Sequence, residues 1–145
     1  MRVLAIDVGK RRIGLAISDA SGTLARPLLV LTVSGDADAV ERVARELARL
    51  SSEEGGVATV VVGLPVRLDG SPNEQTADVA AFIEALKTRT SLPIVTEDER
   101  LTSREAERRL AVGERDWRVR KTKLDAASAA IVLQDYLDRH SHRRS

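Results

Sequence analysis

Val3-Leu4-Ala5-Ile6-Asp7-Val8-Gly9-Lys10-Arg11-Arg12-Ile13-Gly14-Leu15-Ala16-Ile17-Ser18-Asp19 is the stretch on which the reading of the whole chain turns. Val3 to Ile6 reads as a buried strand ending in a carboxylate, Val8-Gly9 with three basic residues as a turn, and Ile13 to Ile17 as a second strand. Asp7 therefore sits where a strand opens onto a turn. A charge at the end of a central strand is costly unless a metal ion, a basic side chain or turn amides meet it. A turn Asp that caps its own backbone ahead of a glycine is the simpler account of Asp7 alone. The case for chemistry depends on partners elsewhere.

Working outward, Leu28-Leu29-Val30-Leu31-Thr32 supplies a third strand, and three strands on short turns read as an antiparallel meander. Ala39, Val40, Val43, Leu47 and Leu50 recur at helical spacing, up to a stop at Ser51-Ser52. Val57-Ala58-Thr59-Val60-Val61-Val62 is nearly all β-branched, the pattern of a strand covered on both faces. Ser71-Pro72-Asn73-Glu74 reads as a helix start with Ser71 at the cap, and Val79, Phe82, Ile83 and Leu86 give that helix its buried stripe. Ile94-Val95-Thr96 is a short strand running into Glu97-Asp98-Glu99-Arg100, and Thr102 with Glu105 opens a further helix. Val112 to Lys121 reads as an irregular basic loop around Trp117, and a last helix spans about Lys123 to about Asp138. The order predicts an α/β fold: a mixed five-stranded sheet, three antiparallel strands then parallel ones, with helices on both faces. Ligands bind such sheets at the carboxyl ends of the parallel strands, where Asp7 and the Glu97-Asp98-Glu99 run would lie.

Bulk properties bound the function. The 145 residues suffice for one domain, over 1–138, with a basic tail at 139–145. Cysteine is absent, which excludes disulfides, thiolate metal sites and a cysteine nucleophile. Neither a leader nor a long apolar span is seen, so a cytoplasmic protein away from the membrane is expected. Net charge is only +1, from 23 basic and 22 acidic residues, and the local distribution says more. Between Leu101 and Lys123 eight basic residues face four acidic ones, and Lys10, Arg11 and Arg12 form a second cluster beside Asp7. A basic field next to carboxylates suits a site that holds phosphates through cations and metals, although solvated helix faces produce the same pattern.

Asp125 lies in the apolar helix start Lys123-Leu124-Asp125-Ala126-Ala127-Ser128-Ala129-Ala130, whose small residues allow close packing on the sheet. A capping pair with Thr122 is its structural alternative. Three carboxylates converging on one strand edge would repel unless metal ions separated them. With oxygen ligands only, and histidines confined to positions 140 and 142, the metal indicated is Mg²⁺ or Mn²⁺.

The stretches 7–19, 61–70, 97–103 and 123–130 together resemble the signature blocks of the YqgF family, also called RuvX, a bacterial branch of the RNase H-like nucleases. The resemblance runs from about residue 3 to about residue 137. It implies an RNase H-like fold, metal-dependent phosphodiester hydrolysis, and acidic metal ligands at Asp7, at the Asp98-Glu99 pair and at Asp125. Within the pair strand alternation sets Asp98 and Glu99 on opposite faces, Asp98 is favoured, and Glu97 ranks behind both. Lys10, Arg11, Arg12, Arg67, Arg100, Lys121 and Lys123 are the candidates for gripping nucleic-acid phosphates. Trp117 is a candidate for stacking on a base. With a single Trp, Tyr and Phe, phosphate and shape contacts are expected to outweigh base reading.

The family implies either trimming of precursor 16S ribosomal RNA or cleavage of branched DNA such as Holliday junctions. The ribosomal role is preferred, because a junction resolvase needs a homodimer to which no sequence feature commits. Two other classes compete. Asp-x-Gly before a hairpin also opens actin-like ATPases and sugar kinases, but a nucleotide there sits between two large lobes, and nucleotide binding would be the sign of it. A non-catalytic nucleic-acid binder would gain nothing from acidic residues facing phosphates.

Overall fold

The structure, a computed structural model, describes residues 1–65, 69–98 and 117–141, with only the backbone for 117–125 and 141. Its elements are β1 (Arg2–Val8), β2 (Arg12–Ser18), β3 (Ala25–Thr32), α1 (Asp36–Ser52), β4 (Val57–Leu64), α2 (Glu74–Lys87), β5 (Ile94–Asp98) and α3 (Trp117–Ser141). The strands form one sheet in the order β3-β2-β1-β4-β5. β1 pairs antiparallel with β2 and β2 with β3, while β4 runs parallel to β1 and β5 parallel to β4. This is the expected meander followed by parallel strands.

The alternation of β1 divides the core. Leu4 and Ile6 pack with Ile13, Leu15, Val60 and Val62 under α1 and α2. Val3 and Ala5 join Ala16 and Val61 under Ala129, Val132, Leu133 and Leu137 of α3. Successive residues therefore serve opposite layers, which is why Val3–Ile6 and Val60–Val62 are apolar at every position. Each fully buried Leu, Ile or Val here contributes about 1.5–3 kcal/mol.

α1 buries Ala39, Val43, Leu47 and Leu50 as its periodicity demands. Its last turn is tied down from β1: the half-buried Arg2 donates from Nη2 to the Leu50 carbonyl and from Nε to the Gly56 carbonyl, both at 3.0 Å, and pairs with Glu53. A cation at a helix carboxyl end also meets the negative end of the helix dipole. α2 is capped by Asn73 rather than Ser71. The Asn73 side chain accepts from the Thr76 amide while the Thr76 hydroxyl accepts from the Asn73 amide, a reciprocal capping box.

Three expectations change at the carboxyl end. The backbone is helical from Trp117, so the expected loop to Lys121 ends at residue 116 or earlier. Position 125 lies in the third turn of α3, which removes the Thr122 capping account. The helix also runs on to Ser141 and takes Arg139 and His140 out of the basic tail. The helix expected from Thr102 lies outside the described residues. Among the described residues no helix is long and apolar enough to cross a membrane.

Candidate functional site

The carboxyl ends of β1, β4 and β5 lie along one edge of the sheet, as parallel pairing requires. Asp7 stands at this edge, half-buried. It follows Val3 and Ala5 in alternation, so it belongs to the sheet face that α3 covers. Its neighbours in the sheet carry no side chains. Gly14 of β2 is its direct partner. On the other side Ile6 pairs with Val62, which brings Gly63 level with Asp7, and Gly63 pairs in turn with Glu97. One row thus reads Val30, Gly14, Asp7, Gly63, Glu97, with glycines flanking the central carboxylate.

The turn beyond Asp7 is closed by the Gly9 amide donating to the Arg12 carbonyl at 2.9 Å. A Cβ at residue 9 would lie 2.6 Å from that oxygen, so the turn itself accounts for Gly9. Lys10 and Arg11 are exposed on this turn and Arg12 is half-buried, which sets three basic residues at the edge that holds Asp7. Arg67 and Arg100 lie outside the described residues. Lys121 and Lys123 belong to the first half of α3, where only the backbone is described, as is Trp117.

Of the acidic pair, Asp98 ends β5, is exposed, and pairs in register with Leu64. Leu64 packs with the α1 and α2 layer, so alternation sets Asp98 on the face opposite to that of Asp7. Glu99 lies outside the described residues, and Asp125 is described by backbone only. Among the described residues no three His, Cys, Asp or Glu side chains stand close enough to hold a metal ion.

The carboxylate that shares the row and the face of Asp7 is Glu97, which the sequence reading ranks last. It is only 5% exposed, and its Oε1 lies 2.6 Å from Arg139 Nη1 on α3. The contact is an ion pair without an aligned hydrogen bond, since Oε1 accepts none. Burial pushes the Glu97 carboxyl above the usual range; Arg139 pulls it back, Asp135 and Asp98 add to the rise, and His140 opposes it. A period-2 reading of Val95 and Glu97 on one face offers a signal for this residue. Arg139 has none, because the pairing depends on how α3 crosses the sheet.

The acidic residues expected here would offer carboxylate oxygens, a donor set that suits Mg²⁺ or Mn²⁺.

A cleft of about 620 Å³ lies on the other face, between the β1–β2 turn, α1 and α2. Val40, Val79 and Phe82 give it an apolar floor, while Lys10 and Arg89 are matched by Asp36 and Asp78 around it. Arg89 is also paired with Glu41 at 2.7 Å, so this cleft has no net preference for phosphate.

Comparison with known proteins places the chain. The family model RuvX, described as Holliday junction resolvase, matches residues 1–139. A Chloroflexus aurantiacus protein named "Putative pre-16S rRNA nuclease" is 42% identical over 137 residues, covering 94% of this chain and 86% of its own. Proteins of the same name from Dictyoglomus turgidum and Desulforudis audaxviator are 41% and 34% identical, covering 95% and 100% of this chain and 94% and 99% of theirs. Among solved structures, T. thermophilus RuvC in complex with a Holliday junction substrate superposes with a TM-score of 0.54 at 17% identity, over 96% of this chain and 95% of that one. That likeness shows an RNase H-like fold. The chain belongs to the RuvX family.

Proposed function

We propose that this protein is a metal-dependent nuclease that hydrolyses phosphodiester bonds in the maturation of precursor 16S ribosomal RNA. The observation that carries the reading is Asp7. A family member matched over nearly its whole length presents a half-buried carboxylate at the end of its central strand, between two glycines and beside a basic turn. The names of the relatives supply the substrate.

Asp7, Asp125 and one member of the Asp98-Glu99 pair would hold Mg²⁺ or Mn²⁺, Asp98 having first to turn from the α1 and α2 layer that it faces at the end of β5. Bound there, a pair of such ions would supply an activated water and stabilise charge on the leaving oxygen. The protein's own part is positioning. β1 fixes Asp7, and α3, whose later turns pack on the sheet face to which Asp7 belongs, would bring Asp125 towards it. Lys10, Arg11 and Arg12 draw the phosphate backbone onto this edge, with Arg67, Arg100, Lys121 and Lys123 extending the grip. Such contacts are indifferent to base identity, so specificity comes from RNA shape.

The family description favours a second reading, cleavage of branched DNA. Labelled precursor 16S RNA and a synthetic four-way DNA junction, incubated side by side with Mn²⁺, Mg²⁺ or EDTA, separate the two. The proposal expects metal-dependent cutting of the RNA. Preferential cutting of the junction by a homodimer, its mass measured by light scattering, would replace it with the resolvase reading.

A further inference from the structure

Arg42 is an exposed arginine of α1 that does not take the partner its helix offers. Asp38 stands four residues before it, the spacing at which an acidic and a basic side chain pair along a helix. That pair is not made. Asp38 Oδ2 accepts from the Ser34 amide at 2.9 Å, and Arg42 Nη1 donates to the Thr32 carbonyl at 2.8 Å. The other arginines of α1 behave differently: Arg45 pairs with Glu41 at 3.2 Å, and Arg49 with Glu46 at 2.7 Å and Glu53 at 3.1 Å. Among the described residues Arg42 pairs with no carboxylate.

The carbonyl that Arg42 holds lies at the end of the sheet that carries Asp7. β1 and β3 are both antiparallel to β2, so their carboxyl ends share one edge. Thr32 is the register partner of Arg12, and the Val33 amide donates to the Arg11 carbonyl at 2.8 Å. The end of β3 therefore joins the basic β1–β2 turn to Arg42. Strand spacing and rise put Thr32 about 12 Å from Asp7. A guanidinium carries five N–H donors in a rigid fork, so the Thr32 carbonyl fixes the group and leaves donors for an anion.

We propose that Arg42 is a phosphate-binding residue that, with Lys10 and Arg11, grips the RNA backbone on the β3 side of this edge, away from the phosphate that is cut. This rests on the RNA nuclease reading and extends its substrate track from the β1–β2 turn onto α1. Because the tether holds the guanidinium in advance, the contact costs little side-chain ordering. The competing account is a strap, in which Arg42 only ties the end of β3 to α1.

The test compares Arg42→Ala, Arg42→Lys and Arg49→Ala with wild type by thermal unfolding, by binding of a labelled precursor 16S RNA fragment in EDTA over a salt series, and by cleavage in Mn²⁺. Arg49→Ala removes the same charge from the same helix two turns further on, about a Debye length away. Arg42→Ala should bind RNA about 10-fold more weakly, the loss of one charge-assisted hydrogen bond, and its slope of log affinity against log salt should be shallower by about 0.7. Arg42→Lys should recover part of that affinity, and Arg49→Ala should stay within about twofold of wild type. Saturating RNA should return Arg42→Ala to the wild-type cleavage rate. An Arg42→Ala that binds as wild type does, or that loses no more than Arg49→Ala, would overturn the proposal. So would an Arg42→Ala that melts several degrees lower and whose weakened binding is not relieved in Arg42→Lys, which is the strap outcome. A wild type that binds no RNA would overturn the grip and the nuclease reading together, whereas RNA bound but left uncut would remove the nuclease reading alone, since the grip is decided by binding.

Discussion

Removing Arg139 and neutralising Glu97 should have opposite consequences, although the two residues form one ion pair. Glu97 is almost fully buried while the Arg139 side chain is 63% exposed. Arg139→Ala leaves a carboxylate at the base of α3 with no cation on Oε1, beside the like charges of Asp135 and Asp98. Breaking a fully buried pair costs about 3–5 kcal/mol and an exposed one about 0.2–1 kcal/mol. A pair with one buried and one solvated member falls between them, at about 2 kcal/mol. For 145 residues the unfolding entropy is about 0.3 kcal/mol/K, so the melting temperature should drop by about 6–7 °C. Glu97→Gln removes the charge that burial opposes and should match or exceed wild type at neutral pH. The pH dependence fixes the sign. The Glu97 carboxyl titrates above its unfolded range, so its contribution to stability is fully present below the unfolded value and is lost as pH rises through the folded one. Melting curves from pH 4 to pH 8 should show Glu97→Gln gaining on wild type as pH rises. A Glu97→Gln that falls several degrees below wild type at pH 7, or an Arg139→Ala that melts with wild type, refutes this account of the pair.

Gly9→Ala sets a Cβ 2.6 Å from the Arg12 carbonyl and must distort the β1–β2 turn, at a cost of about 1–3 kcal/mol. Thermal unfolding checks this, and RNA binding should weaken with it as Lys10 and Arg11 move. Arg2→Ala removes the side-chain donor to the Leu50 and Gly56 carbonyls, so hydrogen exchange in the last turn of α1 should quicken and stability fall by about 1–2 kcal/mol. Asn73→Ala removes the side chain that caps α2 and should cost about 1 kcal/mol in denaturant titration. Asp7→Asn should abolish metal-dependent cleavage while leaving the melting temperature in EDTA near that of wild type.

The meander and the parallel strands are legible in the sequence because each strand announces its face. Val3–Ile6 of β1 and Val60–Val62 of β4 are unbroken apolar runs since both faces are covered there, and α1 shows its stripe at helical spacing. The α2 cap is less legible: Ser71-Pro72 fits the cap pattern, yet Asn73 wins because Thr76 answers it reciprocally. Arg118, Arg120 and Lys121 suggest a loop by their charge, although Arg and Lys are good helix formers and the backbone there is helical. At the site, Asp7 and its edge follow from strand order alone. Facing does not. That Glu97 shares the row of Asp7 while Asp98 turns to the other layer depends on the register of β4 against β5, which no local pattern encodes. Only strand pairing reveals the glycines at 14 and 63 as neighbours of one carboxylate.

The central claim is that carboxylates at the ends of β1 and β5 and within α3 act together on a phosphodiester. Cleavage of precursor 16S RNA in Mn²⁺, measured for wild type and for Asp7→Asn, Asp98→Asn, Glu99→Gln and Asp125→Asn, tests it most directly. The account predicts cutting that EDTA stops, that Asp7→Asn and Asp125→Asn both abolish, and that one of the two pair variants abolishes as well. Cutting that persists in EDTA, or in Asp7→Asn, would contradict it.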